Sequence, residues 1–514
     1  MKVLTANTAR DFRAWADNSR ALWGVDVVSD DDTFAVVADA SGVAWRIEDV
    51  ELVQFAVEVA AGRQLWAWDA ATTGRLLTAW TGVRLPQLCD AATLHTSLRA
   101  DGGFGHPTDA DADASACARL VAELARTTPE EERGLARQNV RAQQLWDAAA
   151  ARGYRVNTAL LAQLRAQIAQ ERSEGIARFG LDLTADSDEV RRWVAAQGIE
   201  LAAADGRASL SHKKFHLAEV PDHARDAWAA FCELRAASSP EGKLTEVAGA
   251  VREGRVFPTI RAVGARTGRM SISGPALQNL PSRMHSLRPL LLADTGMTLV
   301  ACDLDHVEPS IAAALSGDPG LLAAVAPGED VYLELASRIW GECVGQGDER
   351  RGVAKVAFLA QLYGQSTGEL AADLRVSVVT AQSVVTGLRR EYPILMEWLD
   401  ELRSAHRAGR RVLTGHGREC ARYGVPVHAI ANHVIQGTAA DEFKAATIRV
   451  HESLAACGIP DGLWLPVHDE LVVQVEVGRE ADAMEALREG MTSDFRGVTL
   501  SGTPTVLGPS WGKA

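Results

Sequence analysis

The stretch LWLPVHDELVVQV, residues 463–475, constrains the fold more than any other. Two aliphatic runs, rich in Leu and Val, flank the triplet His468, Asp469 and Glu470. Runs of that length and composition read as two core strands joined by a tight turn. A polar turn is ordinary in itself. Two acids at the bend of a buried hairpin become informative only if a second carboxylate-bearing segment can meet them.

Such a segment is MTLVACDLDHVEPSIAAALSG, residues 297–317. An apolar strand delivers Asp303 at its end, and a helix begins near Glu308 and Pro309. Either Asp303 or Asp305 suits a helix cap. A carboxylate at a strand end is also rigidly held and open to water, as a hard divalent cation requires of its oxygen ligands.

Three further stretches carry patterned chemistry. In RRGVAKVAFLAQLYGQ, residues 350–365, Arg351, Lys355, Leu359 and Tyr363 fall four apart, on one helical stripe. A solvated basic face is the ordinary reading of an Arg/Lys pair, yet this stripe runs from cationic to apolar and aromatic, which suits a triphosphate followed by a sugar and base. In VGARTGRMSISGPALQNLPSR, residues 263–283, Arg266, Arg269, Arg283, Gln278 and Asn279 lie along an extended segment. Such groups suit a polar surface loop, and equally suit tracking a phosphate backbone and probing groove edges. In IANHVIQGTAADEFKAA, residues 430–446, Asn432, His433 and Gln436 open a helix of small residues that another chain could approach closely.

Composition narrows the classes. The chain has 514 residues, 47% hydrophobic and 23% charged, which fits a soluble globular protein of two to four structural units. No apolar run has bilayer-spanning length, and the start MKVLTANTARDFRAWADNSR does not resemble a signal peptide. A cytoplasmic protein with no membrane partner is expected. The seven cysteines include no C-x-x-C pair, so neither a disulfide framework nor a zinc site is indicated. The net charge of −14 argues against nucleic-acid binding globally, but the excess is densest before residue 130 and leaves room for a local cationic groove.

Along the chain, residues 1 to about 125 read as alternating strands and helices, with VVSDDDTFAVVADASGVAWRI as a hairpin and LVAELARTT as a closing helix. RADGGFGHPTDADADASA reads as a loop beside a domain edge. Helices then dominate from about 130, with a break at RAASSPEGKL.

A carboxylate at a strand end and Asp469 at a hairpin turn can converge on shared cations. Two divalent ions about 3.5–4 Å apart clamp the attacking and leaving oxygens of an in-line phosphoryl displacement. Together with the cationic stripe, the pattern describes nucleotidyl transfer.

In order, TGRMS…PALQNLP, CDLDHVEPS, RRGVAKVAFLAQLYG, NHVIQGTAAD and VHDEL resemble the ordered motifs of family A DNA polymerases, from about residue 130 to the end. The resemblance implies an α+β multidomain fold: a right hand of palm, fingers and thumb, preceded by an α/β RNase H-like exonuclease-type domain. It places the exonuclease-like domain at 1–128 and a shortened thumb with connecting helices at 129–250. The first part of the palm follows at 251–320, the fingers at 321–440 and the second part of the palm at 441–514.

It further implies Asp303 and Asp469 as metal-binding carboxylates, with the Leu304 backbone carbonyl as a third ligand and Glu470 as a supporting acid. Arg351 and Lys355 would grip the triphosphate, with Lys355 as proton donor to pyrophosphate. Leu359, Tyr363, Glu308 and His468 would complete the nucleotide site, Glu308 as a sugar gate, Tyr363 near the templating position and His468 near the primer end. Arg269, Gln278, Asn279, Arg283, Asn432 and Gln436 would contact primer–template DNA. Two Mg²⁺ ions, with Mn²⁺ as a substitute, deoxynucleoside triphosphates and a monomeric enzyme of repair or gap filling are expected.

Several positions depart from the family pattern. Leu359 stands where Phe or Tyr is usual and Ala360 where Gly is usual. Ser310 replaces an arginine, and Leu304 a tyrosine. These changes bear on fidelity and sugar selection rather than on chemistry. In the N-terminal segment the D-x-E pattern reads Asp26-Val27-Val28, and Asp69 and Asp90 are the remaining acids of interest; no Tyr-x-x-x-Asp follows. An exonuclease-like fold without exonuclease activity is expected, with no 5′-nuclease domain before it. SHKKFHLAEV, with Lys213 and Lys214, reads as the thumb's remaining phosphate contact, and low processivity is expected from a small thumb. The alternatives are a single-subunit RNA polymerase-like enzyme and a non-catalytic DNA-binding replication protein.

Overall fold

The structure is a computed structural model that describes residues 2–5, 15, 23–29, 33–39, 43–47, 53, 65–81, 88–91, 93–94, 122, 130–199, 203–204, 207–208, 210, 220–281, 286–326, 328–374, 376–420 and 424–512. The LVAELARTT helix (residue 122 apart), the Gly/Asp/Ala loop before it, Lys213, Lys214 and Arg283 lie outside those residues. The fold is mixed α+β, and the chain divides into two compact units. One comprises residues 1–152, 258–273 and 296–506, the other 153–257, 274–295 and 507–514.

In the first unit, the N-terminal part forms a six-stranded sheet. The expected hairpin is there and extends into a three-strand meander: Trp23–Ser29 pairs antiparallel with Thr33–Asp39, which pairs antiparallel with Val43–Ile47. Lys2–Thr5 and Leu65–Ala67 add parallel pairings at its two sides, and Cys89–Asp90 extends the latter. The alternation of this sheet buries Trp23, Val25, Val27, Val37 and Trp45, with Trp15 stacked 4.8 Å from Trp23. The long helix Glu130–Arg152 follows.

The remainder of this unit is built around strands Met297–Asp303, Leu463–Val467 and Glu470–Glu476. The two strands Met297–Asp303 and Glu470–Glu476 are buried over their middle five residues without alternation, as expected when both faces of a sheet are covered. Helices Val331–Trp340, Glu349–Tyr363, Thr367–Leu374, Val378–Glu391 and Pro393–Arg407 lie between these strands in sequence. Ile430–Ala456 is lined with Gly, Ala and Thr, so neighbouring backbones can approach it closely; Gly490, for one, has no room for a Cβ against Val450.

The second unit has its own core around Trp228, Phe231, Val190 and Leu183. Its helices Thr158–Phe179, Asp188–Ala196, Arg225–Ser238 and Glu241–Ala250 accompany an antiparallel sheet in which Tyr154–Val156 lies between Arg255–Val256 and Leu291–Leu292. The break read at RAASSPEGKL separates Arg225–Ser238 from Glu241–Ala250. Among the described residues, no helix is long and apolar enough to cross a membrane.

Candidate active site

The hairpin forms as its sequence implies. Val467 pairs with Glu470, leaving His468 and Asp469 as a two-residue turn. His468 takes φ 58, the left-handed region that short hairpin turns require and that His tolerates better than branched residues. The second carboxylate segment arrives beside it. Strand Met297–Asp303 pairs antiparallel with Glu470–Glu476 in a register that sets Asp303 opposite Glu470. One residue further on, the Leu304 N–H donates to the Asp469 carbonyl at 3.1 Å. Two aspartates far apart in the chain thus sit on adjoining backbone at one end of the sheet.

Gly502 presses against this end. A Cβ there would lie 2.1 Å from the Asp303 carbonyl oxygen, and the Asp305 N–H donates to Ser501 at 2.8 Å. The strand end is therefore clamped from both sides. Asp303 is exposed and Asp469 half-buried. Burial pushes the Asp469 carboxyl up, Arg269 and His468 draw it back down, and Glu308 pushes it up again.

The donor set fits a hard divalent cation: two carboxylates on fixed, adjoining backbone. Among the described residues, no group of three or more His, Cys, Asp and Glu side chains assembles to hold a metal. A site of two carboxylates that leaves its other positions to water and phosphate oxygens suits Mg²⁺.

Beside the aspartates, three sequence-predicted residues meet on the carboxylate of a fourth. Glu308, in the first turn of helix Val307–Ser316, is 9% exposed. Its Oε1 accepts from Arg269 Nη2 at 2.6 Å and from Gln436 Nε2 at 3.4 Å, and its Oε2 accepts from Tyr363 Oη at 2.7 Å. Arg269 and Gln436 were expected on DNA, and Glu308 and Tyr363 on the nucleotide; they share a single cluster. The Tyr363 hydroxyl is pushed up by burial and by Glu308.

The cationic stripe lies on helix Glu349–Tyr363. Asp348 caps its N-terminus, accepting from the Arg350 N–H at 2.9 Å. Gly364, at φ 73, closes its C-terminus where a Cβ would meet the His428 carbonyl at 2.1 Å. Arg351, Lys355 and Leu359 are half-buried, and Tyr363 is exposed at 36%, whereas Phe358 and Leu362 on the adjoining flank of the helix are core.

Three neighbours of this stripe escaped the sequence reading. Asp330 takes Arg351 Nε at 2.9 Å. Lys355 Nζ lies 5.2 Å from the centre of the Tyr332 ring, and the His306 ring meets the same tyrosine edge-on at 5.1 Å. Asp330 also caps helix Val331–Trp340, so its pattern signalled a cap; only the distant Arg351 reveals the second contact. His306 has φ 48, a backbone setting that sequence does not announce.

The amides expected on DNA are well placed to take a partner. Gln278 Oε1, in the second unit, and Asn432 Oδ1, in the first, are buried oxygens with no hydrogen-bond partner among the described residues, a condition that costs about 1–3 kcal/mol per group unless something else supplies the donor. Asn279 is exposed.

A model of DNA polymerase family A matches residues 210–513. The chain belongs to DNA polymerase family A. It is similar to DNA polymerase I of Chloroflexus aurantiacus, at 32% identity over 274 residues that cover 51% of this chain and 29% of that one. It is also similar to the DNA polymerase of Mycobacterium phage D29, at 27% identity over 379 residues covering 72% and 57%. The chain thus spans less than two thirds of the length of each of these relatives. The polymerase domain of Pol1 from M. smegmatis, solved with DNA primer-template and dNTP, superimposes with a TM-score of 0.76 over 100% of both chains at 20% identity. That likeness shows a shared mixed α+β fold.

Proposed function

We propose that this family A chain is a template-directed DNA polymerase that adds deoxynucleoside triphosphates to a primer 3′ end. The observation that carries the reading is the joined backbone of Asp303, Leu304 and Asp469. In this reading residues 251–320 and 441–514 form the palm, 321–440 the fingers and 129–250 a short thumb.

The primer 3′-hydroxyl gives its proton to water as its oxygen bonds to the α-phosphorus and the α–β bridging oxygen leaves with pyrophosphate. Asp303 and Asp469, with the Leu304 carbonyl, would hold two Mg²⁺ or Mn²⁺ ions, which would supply Lewis-acid polarisation of the phosphate and the attacking hydroxyl. Glu470 supports that arrangement from the position paired with Asp303. Arg351 and Lys355 bind the β- and γ-phosphates, and the triphosphate competes with Asp330 for Arg351. Lys355 gives a proton to the departing pyrophosphate. Leu359 packs on the sugar, Tyr363 marks the templating position, and His468 lies at the primer terminus. Arg269, Gln278, Asn279, Arg283, Asn432 and Gln436 contact primer–template backbone and minor-groove acceptors common to all base pairs. Extension of a primed template with each nucleotide omitted in turn tests the reading: synthesis must halt at each position calling for the missing nucleotide, and untemplated or absent synthesis refutes it.

Glu308 is held by three partners, so its carboxylate forms a fixed wall rather than a mobile side chain. Glu308→Ala is expected to lower the preference for dNTP over rNTP by about tenfold or more, roughly 1.4 kcal/mol of discrimination. Paired kcat/KM measurements check this, and unchanged selectivity removes the gate role.

The N-terminal sheet is read as an exonuclease-like domain without that activity. Asp90 accepts the N–H groups of Ala70 at 2.9 Å and Thr93 at 2.6 Å, and burial pushes its carboxyl up to about 6. Asp69 accepts from the Thr72 N–H at 3.0 Å. Both carboxylates therefore act as backbone caps, and the strand position after Asp26-Val27 is Val28. An end-labelled, mismatched primer incubated with Mg²⁺ or Mn²⁺ is expected to keep its length; shortening contradicts the assignment.

A further inference from the structure

The loop that carries Arg269 rests on a buried ionic network that is no part of the site itself. Lys444, on helix Ile430–Ala456, is 1% exposed, and Asp441, one turn earlier, is 0% exposed. Lys444 Nζ donates to Asn139 Oδ1 at 2.8 Å and to the Gly268 carbonyl at 3.1 Å, and lies 3.5 Å from Asp441 Oδ1. Arg418 donates through Nη2 to the Thr267 carbonyl at 2.8 Å and through Nε to Asp441 Oδ1 at 3.4 Å. From helix Glu130–Arg152, Gln138 also donates to the Asp441 carbonyl at 2.6 Å. Two cations share one carboxylate, and each also grips one of the two consecutive carbonyls that precede Arg269.

The packing admits little else. A Cβ on Gly268 would lie 2.2 Å from Arg418 Nη2, and one on Gly437 2.6 Å from the same nitrogen. The guanidinium passes between two glycines, and Gly268 also needs its φ of 85. Burial draws the Lys444 ammonium down to about 8, with Asp441 pulling it back up. A buried ion pair is a poor source of stability, since apolar replacements are often neutral or better. This one contributes geometry: it fixes where a backbone turn sits.

We propose that Lys444, with Asp441 and Arg418, is a positioning device for Arg269, fixing the Thr267 and Gly268 carbonyls so that the Arg269 guanidinium stays on Glu308 beside Asp469. Its kinetic consequence rests on the polymerase reading above; its structural consequence does not.

Lys444→Met keeps the aliphatic stem and removes the ammonium. The first readout is hydrogen exchange of the Gly264, Ala265 and Gly268 amides, which close this loop by bonds to Arg269 and Ala265 carbonyls at 3.0, 3.0 and 2.8 Å. The second is single-turnover extension of a primed template, in the Arg269 background and in the Arg269→Ala background. Exchange is expected to quicken about tenfold, and the nucleotide KM to rise about tenfold with Arg269 present but less than about twofold without it, the coupling expected of residues acting through one another. Unchanged exchange, or equal losses in both backgrounds, overturns the proposal and leaves Lys444 a general stability residue. Should Lys444→Met not fold, Asn139→Leu removes one acceptor of the same ammonium from another helix and is scored by the same two readouts. A wild-type protein that extends no primer refutes the polymerase reading alone, because hydrogen exchange still decides whether Lys444 holds the loop.

Discussion

Asp469→Asn is expected to slow single-turnover nucleotide incorporation by at least about a thousandfold, with primer–template affinity within a few fold of wild type. The estimate follows from loss of several kcal/mol of charge stabilisation at the reacting phosphate, at roughly 1.4 kcal/mol per decade. Asp303→Asn should behave alike, because register sets it beside Asp469 on the same sheet end. Both side chains lie at a strand terminus and a turn, so neither substitution opens a cavity in the core. Thermal unfolding of the variants should therefore remain close to wild type. A variant that extends primers at near the wild-type rate would remove its aspartate from the chemistry.

Lys355→Ala should produce the second largest loss, in kcat more than in KM. A proton donated to the leaving pyrophosphate matters only in the transition state, and such general acids contribute about 100- to 10,000-fold. If Arg351 binds the triphosphate as proposed, Arg351→Ala removes binding that exists before and during the reaction, and its main effect is expected to be a raised nucleotide KM. Both cations lie over the Tyr332 ring, Lys355 at 5.2 Å and Arg351 at 5.7 Å, and Arg351 is also paired with Asp330. Pre-steady-state kinetics across a range of dNTP concentrations separates the two; equal kcat losses with unchanged KM in both variants would contradict the division of roles.

Much of this site was legible in the sequence because its signals are local. Apolar runs on either side of His468 and Asp469 dictate a hairpin, and the four-residue spacing of Arg351, Lys355, Leu359 and Tyr363 dictates a shared helical face. Register was not legible: strands apolar along their whole length lack the alternation that pins pairing. Convergence was not legible. That Arg269, Tyr363 and Gln436 all end on Glu308 depends on how four separate segments pack, and no spacing within any one of them encodes it. Asp330 concealed a long-range ion pair behind an ordinary helix cap. Lys444, in EFKAA, looks like a surface cation on a small-residue helix, yet it is among the most deeply buried polar groups described. The N-terminal hairpin was readable, but its place in a six-stranded sheet required parallel partners such as Lys2–Thr5, whose contacts are long in sequence.

The pairing of Asp303 with Asp469 as a cation site is tested most directly by replacing Mg²⁺ with Fe²⁺ in the complex with primer–template and nucleotide, then adding ascorbate and peroxide. Hydroxyl radicals made at the bound iron cut the nearest backbone. The account predicts two dominant cuts, one near residues 303–304 and one near 468–470, both suppressed by excess Mg²⁺ and both lost in Asp469→Asn. Cuts at only one of these segments, or at neither, would contradict it.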